Sequence, residues 1–300
     1  MLTFSKLGQK GNLGNQLFQI ASTIGIAKKN SLNYGFPEWK FSEYFDKNHN
    51  IVKDYIDFEP LYEKNYQYSE YILENNNYDL NGWFQSEKYF DIKLTKDFFK
   101  FKSDFFETLI QKNAILFSKK NILVSVRRSD FVNHPYYFQT SFRYYLLAII
   151  YNFPDWKNRN LIFASDDIPY CKFHFSFLEN AFFLENSTAI EQLALATKCD
   201  DFVISNSTFS WWMAWLGQKK YSKIIRPVKN FRDEFAKNND DSDFFPKRWI
   251  IFDDSKFKLP NQYFFLKLKG FVYQLFVDLK YNYLIHLKFF KNLIKKIIRW

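Results

Sequence analysis

Cysteine is nearly absent from this 300-residue chain, which carries only Cys171 and Cys199. Two cysteines cannot build a disulfide framework, and no zinc-type ligand pattern surrounds them, so a reducing compartment is expected. Long apolar runs are missing as well. The N-terminus, Met1-Leu2-Thr3-Phe4-Ser5-Lys6, enters a glycine-containing segment without the apolar stretch of a signal peptide, and no run reaches the length of a membrane span. The expectation is a cytoplasmic protein, or one peripheral on the inner face of a membrane. Internal repeats, low-complexity linkers, the G-x-G-x-x-G of a dinucleotide fold and the G-K-[ST] of a P-loop are all lacking.

What is present suffices for a large core, because 47% of the residues are hydrophobic. The net charge of +10 resembles a nucleic-acid signal until its placement is considered. Residues 261–300 hold eight basic side chains against Asp278 alone, a net of +7, whereas the remaining 260 residues hold 34 basic and 31 acidic, a net of +3. A nearly balanced body with a basic tail argues against a nucleic-acid partner.

Between residues 121 and 226, short apolar runs alternate with helix-length amphipathic segments. Strands are expected at Ile122–Val126, Leu161–Ala164, Ala181–Leu184, Phe202–Ile204 and Ile224–Ile225, the last before Pro227. Helices are expected at Phe142–Tyr151, Thr188–Lys198 and Ser207–Leu216, the second capped by Ser187 or Thr188 with Glu191 close behind. This alternation implies a doubly wound parallel sheet, whose ligands sit beyond the carboxyl ends of the strands. Residues 1–118 are less regular, with one helix after Gly14 and another near Phe105–Phe117, and are expected to form the opposite wall. The chain thus divides into an N-terminal lobe (1–118), a donor-binding lobe (119–260) and a basic tail (261–300).

Polar residues follow several of these strands. Arg127 and Arg128 end the first, and adjacent side chains on an extended chain point opposite ways, so one can face the crevice while the other braces the scaffold, with Asp130 as a partner. A guanidinium fork suits diphosphate oxygens, although for an isolated R-R-x-D a structural Arg-Asp salt bridge at the strand end is the favoured reading. Asp166 and Asp167 follow the second strand as a carboxylate pair. They can bind metal, or cap a helix starting at Ile168-Pro169 and contact a nucleoside, and the second reading is favoured. Asn206, Ser207, Thr208 and Phe209 form a strand-to-helix junction suited to phosphate, ahead of Trp211, Trp212 and Trp215, which read as packing of that helix onto the sheet. Gly14, Asn15 and Gln16 lie in a glycine turn feeding a helix, either a plain turn or a phosphate loop. His134 reads as an exposed loop histidine.

The order and spacing of four segments resemble the bacterial α-1,2-fucosyltransferases of glycosyltransferase family 11. They are Gly14-Asn15-Gln16-Leu17-Phe18-Gln19, Gly82-Trp83-Phe84-Gln85-Ser86-Glu87-Lys88-Tyr89-Phe90, Arg127-Arg128-x-Asp130, and Ser205-Asn206-Ser207-Thr208-Phe209-Ser210-Trp211-Trp212. The resemblance implies a GT-B-like α/β fold of two Rossmann-type lobes with the donor site in the crevice between them. It also implies a GDP-fucose donor, inversion at the anomeric carbon and no essential metal or other cofactor. The reaction expected is transfer of L-fucose to the 2-hydroxyl of a galactoside, on a galactose-terminated glycan or glycolipid. On that pattern Arg127 binds the donor diphosphate, with Arg128 beside it, and Gly14, Asn15 and Gln16 line fucose and phosphates. Ser207 and Thr208 hold phosphate, with Asn206 and Phe209 at the same junction, and Asp166 or Asp167 meets the nucleoside. Ser125 stands where many members carry histidine, and Ser129 where glycine is usual, which leaves Asp130 and Glu87 as candidate bases. A related transferase with another donor or linkage, or a non-catalytic glycan-binding homologue, are the alternative readings.

In the tail, Lys288, Lys291, Asn292, Lys295, Lys296 and Arg299 fall on one arc of a helix, with apolar residues over the rest. That is the pattern of a helix lying on an anionic membrane, or of a terminal helix docked on its own domain.

Overall fold

A computed structural model of the chain describes residues 1–47 and 50–298, with side chains described through Leu287, so the basic arc from Lys288 to Arg299 lies outside the described side chains. In the N-terminal half, strand β1 (Leu2–Thr3) leads through a glycine turn into helix α1 (Leu13–Lys29). Strands β2 (Glu59–Tyr62) and β3 (Tyr78–Asn81) join β1 in a parallel sheet of order β1-β3-β2, followed by helices α2 (Ile92–Phe98) and α3 (Ser103–Lys112). Every residue of α1 from Gln16 to Ala27 is buried, which makes it a central helix packed on all sides rather than a one-faced surface helix. Lys28 and Lys29 occupy its last turn, where the helix dipole favours positive charge. The segment Phe105–Phe117, expected as a single helix, is α3 followed by a 3-10 turn at Ala114–Phe117.

The second half holds β4 (Asn121–Val126), α4 (Phe142–Asn152), β5 (Asn160–Ser165), α5 (Ile168–Phe175), β6 (Ala181–Phe183) and α6 (Ala189–Lys198). It continues with β7 (Asp201–Ile204), α7 (Thr208–Gly217), β8 (Ile224–Arg226), α8 (Asp233–Asn238) and β9 (Ile250–Ile251). These six strands are all parallel, in the order β6-β5-β4-β7-β8-β9. Each position of β4 is buried, as a strand covered by helices on both faces requires. Strand β9 carries no signal in the sequence. It has only two residues, both exposed, too short to show a period.

Both sheets belong to one compact unit, Met1–Asp254, and Ser255–Trp300 forms a second. Within the first unit the halves are joined by aromatic packing. Trp211 and Trp212 lie 4.6 and 5.2 Å from the Phe18 ring, and Phe90 lies 5.4 Å from Trp212 and 5.5 Å from Trp215. The tryptophans expected to pack α7 onto its own sheet therefore also bind it to α1. Glu87 adds a polar clamp, accepting from Trp215 Nε1 (3.1 Å) and pairing with Arg248 (2.6 Å). This engagement removes Glu87 from the candidate bases. The second unit is dominated by helix α9 (Phe265–Ile298).

Candidate active site

The strand order reverses between β4 and β7, and at such a switch point the loops leaving the strands diverge and open a crevice. Arg127 leaves β4 there, and Asn206, Ser207 and Thr208 leave β7. Facing them is the N-terminus of α1. The approach is so close that a Cβ on Gly14 would lie 2.5 Å from the amide nitrogen of Phe209. Glycine at position 14 is thus a condition for bringing two helix N-termini, those of α1 and α7, to one place. Both direct the positive ends of their dipoles at the crevice. Asn12, at the start of α1, makes no side-chain cap, whereas Ser207 caps α7 by accepting from the Phe209 amide (3.2 Å).

Two cavities adjoin along this line and share Asn12, Gly14, Arg127, Ser207 and Phe209. The larger, about 460 Å³, is polar at its edges, with Gln16, Lys40, Ser165, Asp166, Ser187 and Gln192. The smaller, about 310 Å³, is walled by Tyr66, Trp83, Phe131, Tyr137, Phe231 and Phe235, with Asn15, Gln85, Asp130, Asn206, Thr208 and Asn230 at its polar points. Of the residues singled out from sequence, Arg128 and Asp167 line neither cavity.

The arginine pair divides its labour, but with a different partner for Asp130 than a scaffold brace. Arg127, on the crevice, donates from Nε and Nη2 to Asp130 Oδ1 (3.0 and 2.6 Å), and its Nη1 lies 3.2 Å from Asp166 Oδ2. Arg128 is buried, its guanidinium 4.2 Å from the Tyr170 ring, and its backbone amide donates to Asp166 Oδ1 (2.9 Å). Asp166 therefore ties the end of β5 to that of β4 and aims Arg127. Asp167 caps α5 by accepting from the Tyr170 amide (3.0 Å), with Pro169 in the first turn. Asp130 is exposed, and its Oδ2 makes no bond among the described residues.

Ser125 is buried with its Oγ 2.7 Å from that of Ser210, which in turn lies 2.7 Å from Ser205 Oγ. This hydroxyl chain joins β4, β7 and α7, and Ser125 does not line the crevice. Gln16 is committed at both ends, donating to the Gly11 carbonyl (2.9 Å) and accepting from Trp39 Nε1 (2.8 Å), so it shapes the cavity wall. Asn15 accepts from Gln85 Nε2 (3.0 Å). His134 is half-buried, and its ring packs 4.6 Å from Tyr137.

The Gly82–Phe90 segment owes its shape to a residue that sequence reading missed. Glu63 accepts from the amides of Trp83 (2.6 Å) and Phe84 (2.7 Å), and burial pushes its carboxyl above the usual range. A Cβ on Gly82 would fall 2.3 Å from Glu63 Cβ, and Phe84 takes the left-handed conformation with φ 50. The result presents Trp83 and Gln85 to the smaller cavity. Tyr66, Asn230, Phe231 and Phe235 were missed because they lie on irregular loops or a short helix, where no periodicity marks them. Burial also raises the hydroxyl pKa values of Tyr66 and Tyr137, so both remain protonated donors at neutral pH.

Two parallel α/β sheets engaged across a crevice at the switch point define a protein of the GT-B class. Residues 26–253 match the family model for Glycosyl transferase family 11, and the chain belongs to that family. An alpha-1,2-colitosyltransferase of Escherichia coli is 29% identical over 138 residues, covering 43% of this chain and 47% of that protein. The O-antigen biosynthesis glycosyltransferase WbnK of Escherichia coli is 30% identical over 138 residues, covering 43% of this chain and 44% of WbnK. The matched region therefore spans somewhat under half the length of these relatives. Among solved structures, POFUT1 in complex with GDP superimposes with a TM-score of 0.50 at 13% identity, covering 75% of this chain and 97% of POFUT1, a likeness of fold alone. The fucosyltransferase NodZ from Bradyrhizobium has a TM-score of 0.49 at 14% identity, covering 71% of this chain and 91% of NodZ.

Proposed function

We propose that the chain is an inverting fucosyltransferase that moves L-fucose from GDP-fucose to the 2-hydroxyl of a galactoside. One observation carries the reading: Arg127, aimed by two carboxylates, shares with two helix N-termini the neck between the cavities. As the bond from the anomeric carbon to the diphosphate breaks, negative charge grows on the leaving GDP, and the guanidinium and helix-end amides neutralise it without reorganising. The sugar becomes oxocarbenium-like, and the acceptor hydroxyl attacks from the opposite face. Asp130 takes its proton, Oδ1 being engaged by Arg127 and Oδ2 remaining to accept. In this mechanism Ser207 and Thr208 hold phosphate, Asp166 orients Arg127, and no metal is required.

Arg127→Ala is expected to abolish transfer in a radiolabelled GDP-fucose assay with simple galactosides. Arg127→Lys should be nearly as inactive, since an ammonium cannot replace the fork held by Asp130 and Asp166. A substantial rate in either variant overturns the assignment, and activity lost in EDTA and restored by Mg²⁺ overturns the metal-free mechanism. Transfer from GDP-colitose in place of GDP-fucose would keep the chemistry and change the donor.

For the second unit, we propose that α9 lies on an anionic bilayer surface. Its described part exposes Leu268, Phe271, Leu275, Phe276, Leu279 and Tyr283, and the sequence from 261 onward has a net charge of +7. Among the described residues no helix is long and apolar enough to cross a membrane. Full-length protein should bind vesicles containing anionic lipid and a 1–260 truncation should not, and equal binding by both refutes the placement.

A further inference from the structure

We infer that the smaller, aromatic-walled cavity is the seat of the acceptor, where a terminal pyranose and the sugar or aglycone attached to it stack on Tyr66, Trp83 and Phe235. The inference rests on the transferase reading above and assigns a ligand to a cavity that the reading leaves open.

The first ground is the linear order of a nucleotide-sugar: base, ribose, diphosphate, sugar. With the diphosphate at the neck formed by Arg127, Gly14 and Ser207, nucleoside and transferred sugar must lie on opposite sides of it. The larger cavity lies over the ends of β4 and β5 and beside the start of α6. Its Ser165, Asp166, Ser187 and Gln192 offer the hydrogen-bonding groups that a purine and a ribose need. The transferred sugar then emerges into the smaller cavity, and the group that receives it must approach there.

The second ground is the wall chemistry. The rings come from both halves of the unit and touch one another: Tyr66 lies 5.1 Å from Phe231 and 6.1 Å from Phe235, and Tyr136 stacks on Phe235 at 4.3 Å. A pyranose presents C–H groups on its faces and hydroxyls at its rim. It therefore suits a site with aromatic walls and a few directed polar atoms. Such atoms are available. Asn206 and Asn230 line the cavity, and each keeps a buried side-chain oxygen with no hydrogen-bond partner among the described residues. For Asn206 the amide orientation follows from its nitrogen, which donates to the carbonyls of Phe138 (3.2 Å) and Asn230 (2.7 Å). A buried acceptor left unpaired is costly, and a ligand hydroxyl that reaches it removes the cost. Asp130 lines the same cavity, within reach of the hydroxyl to be deprotonated.

Trp83→Ala and Phe235→Ala test the assignment, since both side chains are only partly buried and their loss spares the core. Each variant is titrated with GDP in a calorimeter and assayed for transfer across acceptor concentrations. The expected result is GDP affinity within about twofold of the wild type, with the acceptor KM raised about tenfold or more, as the loss of one stacked ring predicts. A collapse of GDP affinity with an unchanged acceptor KM would show that guanine occupies the aromatic cavity and would overturn the inference while sparing the transferase reading. If the wild type turns over neither GDP-fucose nor GDP-colitose, the transferase reading fails on its own. The cavity is then judged by saturation-transfer NMR with lactose. A lactose signal that disappears in Phe235→Ala supports the inference, and a signal equal in both proteins or absent from both refutes it.

Discussion

Replacing Gly14 by alanine sets two opposed effects against each other, and the structure decides which wins. Within a helix, alanine is favoured over glycine by about 1 kcal/mol, less near an end, so propensity alone predicts a more stable protein. The added Cβ, however, would lie 2.5 Å from the Phe209 nitrogen, 2.7 Å from the Thr208 carbonyl carbon and 2.8 Å from Phe209 Cα. Ordinary contact starts at 3.4 Å, so the shortest of these calls for a separation of about 0.9 Å between the ends of α1 and α7. The obstructing atoms are all backbone and cannot swing aside. Overpacking of this kind costs about 1–3 kcal/mol, which exceeds the propensity gain. The melting temperature should therefore fall by a few degrees, on the order of 2–4 °C per kcal/mol for a unit of this size. Because the parted ends are those proposed to hold the diphosphate, transfer should fall more steeply, by about a hundredfold for a misplacement near 1 Å. Differential scanning fluorimetry, GDP titration and a transfer assay would be run on the same preparation. A variant that melts higher than wild type and binds GDP equally well would refute the reasoning, since it would mean that the helix ends are not in forced contact.

Three further outcomes follow from the same physics. Burial holds the Glu63 carboxyl above its ordinary value of 4.5, so the folded state binds that proton more tightly than the unfolded chain. The resulting stabilisation is present at low pH and lost as pH rises through the raised value, and Glu63→Gln should remove this component; parallel pH profiles of melting temperature for wild type and variant would contradict it. Arg159 and Asp201 form a buried ion pair at the entrance to β5 and β7, remote from the crevice. Arg159→Met should cost about 3–5 kcal/mol in urea unfolding by stranding Asp201, while leaving activity per folded molecule unchanged. Ser125→Ala, which breaks one hydroxyl link, should lower stability by about 1 kcal/mol and leave kcat within a few-fold of wild type; loss of activity in a stable variant would return Ser125 to the reacting atoms.

The parallel sheet of the second half was legible because each of its principal strands carries its own signal. Ile122–Val126, interrupted only by Ser125, and Leu161–Ala164 are nearly continuous apolar runs, as expected of strands covered on both faces. The capping box of Thr188 and Glu191 and the Asp167 cap with Pro169 behind it are local devices, fully determined by residues a few positions apart. Strands β2 and β3 of the N-terminal sheet escaped because four residues are too short to establish a period, and β9 escaped for the same reason.

The sequence by itself determined the local elements, the family motifs and the position of an arginine at a strand end, since these depend on neighbours along the chain. Only the tertiary structure decided what those pieces do to one another. It set Asp130 on Arg127 rather than on Arg128, gave Asp166 both the Arg127 guanidinium and the Arg128 amide, spent Glu87 on Arg248 and Trp215, turned Ser125 into a hydroxyl chain, and joined Tyr66 and Trp83 to Phe231 and Phe235. Apart from the Arg127–Asp130 pair, three residues apart, each of those contacts links residues from different strands or loops. No local spacing encodes them, because they exist only once two sheets and two helix N-termini have packed to within the width of a glycine.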